Sequence, residues 1–269
     1  MEMVEINRGS SPVILGFPHT GTHAPDDIWA NLNETGRKLT DTDWHVHELY
    51  QGLLPNATTV RATFHRYCLD ANRDPSGASL YPGQNTTGLI PLTDFDNRPL
   101  WIEGGEPDGA ETERRVERFH QPYHRVLQAE IERVKAKHGV AVLYDCHSIR
   151  SICPFLFEGK LPDFNIGTDN GETCDHLLEQ EVGAICQAAE GYTSVVNGRF
   201  RGGWTTRHYG RPGEGVHAIQ MELAQATHLK SETPPFDQDG EKSAKLRKVL
   251  QQILQRIEAL AYELVRRGG

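Results

Sequence analysis

The chain has 269 residues, 37% of them hydrophobic, which is enough for one sizeable buried core. A formal net charge of −9 argues against nucleic acid or an anionic membrane as the main partner. No apolar run approaches a transmembrane span, the opening MEMVEINRGSS lacks the basic start and apolar core of a signal peptide, and five cysteines without paired spacing argue against a disulfide framework or a Cys-x-x-Cys zinc site. The expectation is a reduced, soluble, cytoplasmic protein.

Val13–Phe17 reads as a first strand ending at Pro18, followed by a polar loop with His19 and His23. Trp29–Leu39 carries a weak helical signal. Thr40-Asp41-Thr42-Asp43 looks like a helix start before Trp44, Val46, Leu49 and Tyr50, with Pro55 as its end. Thr58–Thr63 is β-branched and predicts a strand, and Arg66–Arg73 (RYCLDANR) a second strand-like piece. Asp74–Asp108 is rich in proline and glycine, yet Tyr81, Leu89, Ile90, Leu92, Phe95 and Trp101 imply that it packs down. An ordered loop this long is usually functional, and here it reads as a cover over a site.

Glu113–Lys137 is the clearest helix, with Val116, Phe119, Tyr123, Leu127, Ile131 and Val134 at three- and four-residue steps and Gly139 as its cap. The apolar run Val140–Tyr144 predicts a buried strand that delivers Asp145, Cys146, His147 and Ser148. Thr173–Ala189 reads as a helix and Thr193–Val196 as a short strand. Asn197–Gly213 is irregular, Val216–Leu223 is a last strand carrying Glu222, and Leu246 to Leu264 mark a long closing helix. Strands alternating with helices predict an α/β three-layer sandwich with a mostly parallel sheet covered on both faces.

Ligands in such sheets sit beyond the carboxyl ends of the strands. Two strand-end histidines, His19 and His147, together with the strand-end Glu222, point to a metal hydrolase, since a catalytic zinc takes three protein ligands and leaves a position for water. Asp41, Asp43, His45, His47, Glu48 and His23 compete as third ligand, and Asp41 or Asp43 could equally cap a helix. No His-Glu-x-x-His motif occurs. Glu222 in an apolar strand needs a partner, a ligand role or a proton; acid/base work is the sharper reading and a salt bridge to arginine the plainer one. Arg199, Arg201, Arg207 and Arg211 crowd one glycine-rich stretch, which reads either as a solvated loop or as a pocket for a small dicarboxylate. Cys146 beside His147 raises a cysteine nucleophile, but neighbours on a strand face opposite ways, so a buried structural thiol is the better reading.

The stretches GFPHTGTHAPDDI, LTDTDWHVHELY, RYCLDANRDPSGASLYPGQNTTGL, LYDCHSIRS, LPDFNIGT, VVNGRFRGGWTTRHYGRP and VHAIQMELAQ, in this order, resemble N-formylglutamate amidohydrolase, the deformylase of histidine degradation. The resemblance covers about Val13 to Gln225 and implies one catalytic domain over residues 1–269. It implies a mixed sheet between helices, similar to the zinc carboxypeptidases and of the phosphorylase/hydrolase-like kind. It also implies hydrolysis of N-formyl-L-glutamate to formate and L-glutamate. On that analogy His19, Asp43 and His147 hold Zn2+, or another divalent cation such as Co2+ or Fe2+. Glu222 is then the general base, and Asn72 and Arg73 grip the α-carboxylate. Arg150, close after His147, is the donor assigned to the oxyanion as a mechanistic hypothesis beside the analogy. Charge, rather than the analogy, assigns the side-chain carboxylate to the arginines of 199–211, with Arg199, Arg201 and Arg207 as the named candidates. The chain departs from the family pattern at His47, where aspartate is usual, and at Cys146 within Asp-Cys-His, where alanine is usual. Rival readings are the same site acting on another N-acyl acidic amino acid or a C-terminal peptide bond, and a non-catalytic binder of acidic amino acids.

Overall fold

The computed structural model describes residues 2–79, 81 and 83–268. Its elements in chain order are β1 (Val4–Asn7), β2 (Val13–Phe17), α1 (Asp26–Trp29), α2 (Val46–Tyr50), β3 (Thr58–Ala62), α3 (Gly109–Arg115), α4 (Gln121–His138) and β4 (Ala141–Ile149). They continue with β5 (Phe164–Gly167), α5 (His176–Ala188), β6 (Ser194–Val196), α6 (Trp204–Tyr209), β7 (Val216–Ala224) and α7 (Gly240–Gly268). The strands form one sheet in the order β1-β3-β2-β4-β7-β5-β6. β3, β2, β4 and β7 run parallel at its centre; β1 and β5 pair antiparallel with their inner neighbours, and β6 follows β5.

Burial explains this arrangement. All nine residues of β4 and all nine of β7 are buried, as strands covered on both faces must be. Alternation sends Val13, Leu15, Phe17, Val142, Tyr144, Ile219 and Met221 to one face, against α2, α5 and the Leu246, Leu250, Ile253, Ile257 and Leu260 stripe of α7. It sends Ile14, Val60, Leu143 and Ala218 to the other, against Phe119, Tyr123, Leu127, Ile131 and Val134. Each buried Val, Leu, Ile, Phe or Met side chain among them contributes about 1.5–3 kcal/mol. The three layers are those expected. No helix among the described residues is long and apolar enough to cross a membrane.

The helix expected over Glu113–Lys137 runs from Gly109 to His138 through a π-helical turn at Val116–His120. It starts at Asp108, whose side chain accepts from Glu111 N, and stops at Gly139 with φ +76°. Other expectations need correction. Arg66–Arg73 is a run of turns, not a strand: Tyr67, Cys68 and Leu69 are buried because the turns themselves pack inward. Trp29–Leu39 is not one helix but the end of α1 followed by a separate 3-10 turn at Gly36–Lys38. Thr40–Asp43 does not open the next helix; α2 begins after His45, which is left-handed at φ +60°. β1, β5 and α6 were not foreseen. Of the 74–108 cover, Leu80 and Pro82 lie outside the described residues.

Candidate active site

The chemistry gathers at the carboxyl ends of β2, β4 and β7. In β4, Asp145 and His147 share a face because they are two residues apart, and His147 pairs in register with Glu222 of β7. Gly16 lies opposite Asp145, where a Cβ would come 3.1 Å from Asp145 Oδ1, so this glycine leaves room for a buried carboxylate. His19 follows β2, and its carbonyl accepts from Asp43 N (3.0 Å), which draws the segment before α2 over the strand ends.

His19 Nδ1 lies 3.2 Å from His147 Nδ1 and 3.8 Å from Asp43 Oδ2, and His147 Nδ1 lies 3.3 Å from Asp43 Oδ2. On the far sides of the rings, His19 Nε2 is 2.6 Å from Asp70 Oδ1, and His147 Nε2 is 2.9 Å from Asp145 Oδ2 and 3.2 Å from Asn72 Nδ2. Carboxylates behind both rings favour N–H at Nε2 and turn two Nδ1 lone pairs toward one another. Such a pair can receive a cation between its members. Burial, with Arg66 next in size, lowers the His19 pKa. At His147 burial also lowers it, but Asp145 and Asp43 outweigh burial and hold the imidazole well above its usual range.

These residues fit a metal ion. Four-coordinate zinc with bonds of about 2.1 Å sets its donors about 3.4 Å apart, close to the sides of this triangle. His19, Asp43 and His147 form a buried donor set, and Asp43 Oδ1 is buried without a hydrogen-bond partner among the described residues. Asp43 thus stands where the third ligand was sought. Asp41 accepts from Phe95 N (3.0 Å), His45 bridges Glu48 and Phe236 O, and His47 faces Glu48 at 3.9 Å.

Glu222 is buried at the cavity wall, and its Oε2 accepts from Gln220 Nε2 at 3.2 Å; among the described residues no arginine pairs with it. Burial raises its pKa to about 8, Asp43 adding to the rise and His147 opposing it. Cys146 points to the opposite face, and burial drives its thiol well above the usual range, so it is no nucleophile for this site.

A cavity of about 150 Å³ opens from this centre, lined by His19, Arg66, Asn72, Arg73, His147 and Glu222, and by residues of the 74–95 segment and of Arg199–Gly203. That is roughly ten water-sized volumes, suited to a small molecule. The long loop does wall the site, as expected. Residues 11–229 match the family described as N-formylglutamate amidohydrolase. The chain belongs to that family. It is 44% identical to the N-formylglutamate deformylase of Pseudomonas aeruginosa over 97% of this chain and 98% of that one. It is 42% identical to that of Pseudomonas putida over 99% of each. The crystal structure of N-formylglutamate amidohydrolase from Ralstonia eutropha JMP134 superposes with a TM-score of 0.80 at 26% identity over the whole of both chains. A structure from Agrobacterium tumefaciens shares the fold at 0.72 and 19% identity, over 96% of this chain and 97% of that one.

Within this amidohydrolase-family site the expected residues separate. Asn72 Oδ1 accepts from Thr205 N (2.8 Å). Arg73 donates to Thr87 O (2.9 Å) and Thr87 Oγ1 (3.0 Å). Both line the cavity, as does Arg199. Arg150 does not: it lies one residue beyond β4, where strand alternation no longer sets direction, and Asp96 Oδ1 holds its Nη2 at 2.8 Å. Arg201 stacks over Tyr81 and Arg207 pairs with Asp169 at 3.2 Å; neither lines the cavity. Arg66, Asp70, Asp145 and Gln220 were given no role from the sequence. Asp145 was within reach there, two residues before His147 on the same strand face.

Proposed function

We propose that the chain is a metal-dependent N-formylglutamate deformylase, converting N-formyl-L-glutamate and water to formate and L-glutamate as the last step of a histidine degradation pathway. The observation that carries this reading is the convergence of a buried His-Asp-His donor set and the buried carboxylate of Glu222 at one end of a guanidinium-lined cavity. The kinship with N-formylglutamate deformylases supplies the substrate. His19, Asp43 and His147 would hold the ion; zinc suits these ligands, and cobalt or ferrous iron use the same types. When bound, it would supply Lewis acidity and acidify a water.

The chain's own residues do the rest. Arg73, its head steadied by Thr87, receives the α-carboxylate. That contact brings the formyl carbon to the donor set and makes a bimolecular hydrolysis an oriented one. Glu222 takes a proton as water attacks the formyl carbon and delivers one to the amino group as the carbon–nitrogen bond breaks. The cavity-lining Arg66, buried and bonded to Asp70 Oδ2 at 2.7 Å, takes the oxyanion role expected of Arg150. The described cysteines are all free and buried, which supports action in a reducing cytoplasm.

Formate release from N-formyl-L-glutamate, with and without a chelator and alongside elemental analysis, tests the proposal. Turnover that stops with the chelator and returns with added zinc is expected. Faster turnover of N-acetylaspartate or peptides would reassign the substrate, and ligand binding that survives metal removal without formate release would mark a binding protein.

A further inference from the structure

Resting on the formylglutamate reading, we propose that Arg199 is the residue that selects substrates carrying a second, side-chain carboxylate. The four arginines of the glycine-rich stretch are not equivalent. Arg207 is neutralised by Asp169, and its Nε donates to Gly202 O at 2.9 Å. Arg211 Nη1 is spent on the carbonyls of Arg207 and Gly210. Arg201 lies over the Tyr81 ring, off the cavity. Arg199 alone of the four lines the cavity.

Its head is fixed but not neutralised. Nε donates to Leu156 O at 3.0 Å and Nη2 to Asn85 O at 2.9 Å. These are neutral acceptors, and among the described residues no carboxylate lies within ion-pair distance of this guanidinium. It is partly buried, and burial first, then the like charge of Arg73, lowers its pKa. A partly desolvated cation with no counter-charge is unfavourable unless a ligand brings one. Of the three arginines lining the cavity, Arg66 pairs with Asp70 (2.7 Å) and Arg73 lies 3.6 Å from the same carboxylate, so Arg199 is the one left to meet a second carboxylate of the ligand. Leu156 and Phe200 supply apolar wall beside Arg199, suited to the methylenes between two carboxylates. Glu222 and the donor set would treat the formyl group alike whatever the side chain, so discrimination falls to Arg199.

The test compares N-formyl-L-glutamate with its uncharged isostere N-formyl-L-glutamine. The wild type should favour the former by about 100-fold or more in kcat/KM, because a polar site rejects an analogue that leaves its charged group unpaired. Arg199→Gln should remove most of that ratio through KM for formylglutamate, while turnover of formylglutamine persists and reports an intact fold and centre. If Arg199→Gln does not fold, Arg199→Lys serves: it keeps the charge but loses the fork, and the ratio should fall about tenfold. An unchanged ratio in the folded variant overturns the assignment. A wild type that hydrolyses other acyl amino acids but not formylglutamate overturns the underlying substrate reading instead, and the two failures differ in the wild-type measurement alone.

Discussion

The imidazoles of His19 and His147 turn Nδ1 toward one another because Asp70 and Asp145 occupy the other nitrogen of each ring. Those buried carboxylates stand behind the two rings and help to orient them. Glu222 is the opposite case, a carboxylate given one amide donor and little else, so that burial holds it protonated near neutrality until positive charge arrives. Glu222→Gln keeps the shape and removes the base. Its kcat should fall by about 10²- to 10⁴-fold, the usual worth of a positioned proton carrier, with metal content by elemental analysis unchanged. Undiminished turnover in that variant would dismiss the assignment. His19, His147 and Glu222 were legible as polar residues ending apolar strands. Asp43 was one of six candidates because the bond that seats its segment, from Asp43 N to His19 O, spans a turn that no periodicity encodes. Arg66 and Asp70 were hidden for the same reason.

α4 does more than cover the sheet. His120 and His124, one turn apart, donate from Nε2 to the carbonyls of Arg73 (3.1 Å) and Ala71 (2.8 Å), so the helix grips the backbone on either side of Asn72. Burial lowers the His124 pKa to about 3. The unfolded chain takes up this proton near pH 6.5 and the native chain only near 3, so between those values the unfolded state binds more protons and stability declines on acidification. The contribution is up to about 1.4 kcal/mol per pH unit. Denaturant midpoints measured from pH 7 to pH 4 should fall less steeply for His124→Gln than for the wild type; equal slopes would refute it. His228, lowered to about 4 by burial, adds a parallel loss in both proteins and cancels from the comparison. Among the elements, α4 and α7 were legible because many apolar residues repeat along them. β1, β5 and α6 were not: four to six residues hold too few periods to declare a strand or helix.

At the scale of the molecule, the three candidate metal donors, His19, Asp43 and His147, come from the loop after β2, the segment before α2 and the middle of the sheet. An ion shared by all three would fasten parts of the chain that are far apart in sequence. Its removal should therefore cost stability as well as turnover. Thermal melts with a chelator should show a Tm lower by several degrees, at roughly 2–4 °C per kcal/mol for a chain of this size, and restored by added zinc. Coincident melts with and without chelator would mean that no ion is held there. The layered sheet was readable from strand and helix alternation; the joining of remote segments was not, because it depends on contacts between residues more than a hundred positions apart, such as Ser148 N donating to Asp43 Oδ2. The cavity also has two kinds of wall. Asp145, His147 and Glu222 rise from strands locked on both sides by neighbours, while the opposite wall is built from described residues within 74–79, 85–95 and 199–203, which belong to no strand of the sheet. The machinery that splits the amide and the surface that inspects the rest of the molecule can therefore be rewritten independently, and retargeting this scaffold to a neutral acyl amino acid is a matter of grafting two loops onto an untouched centre.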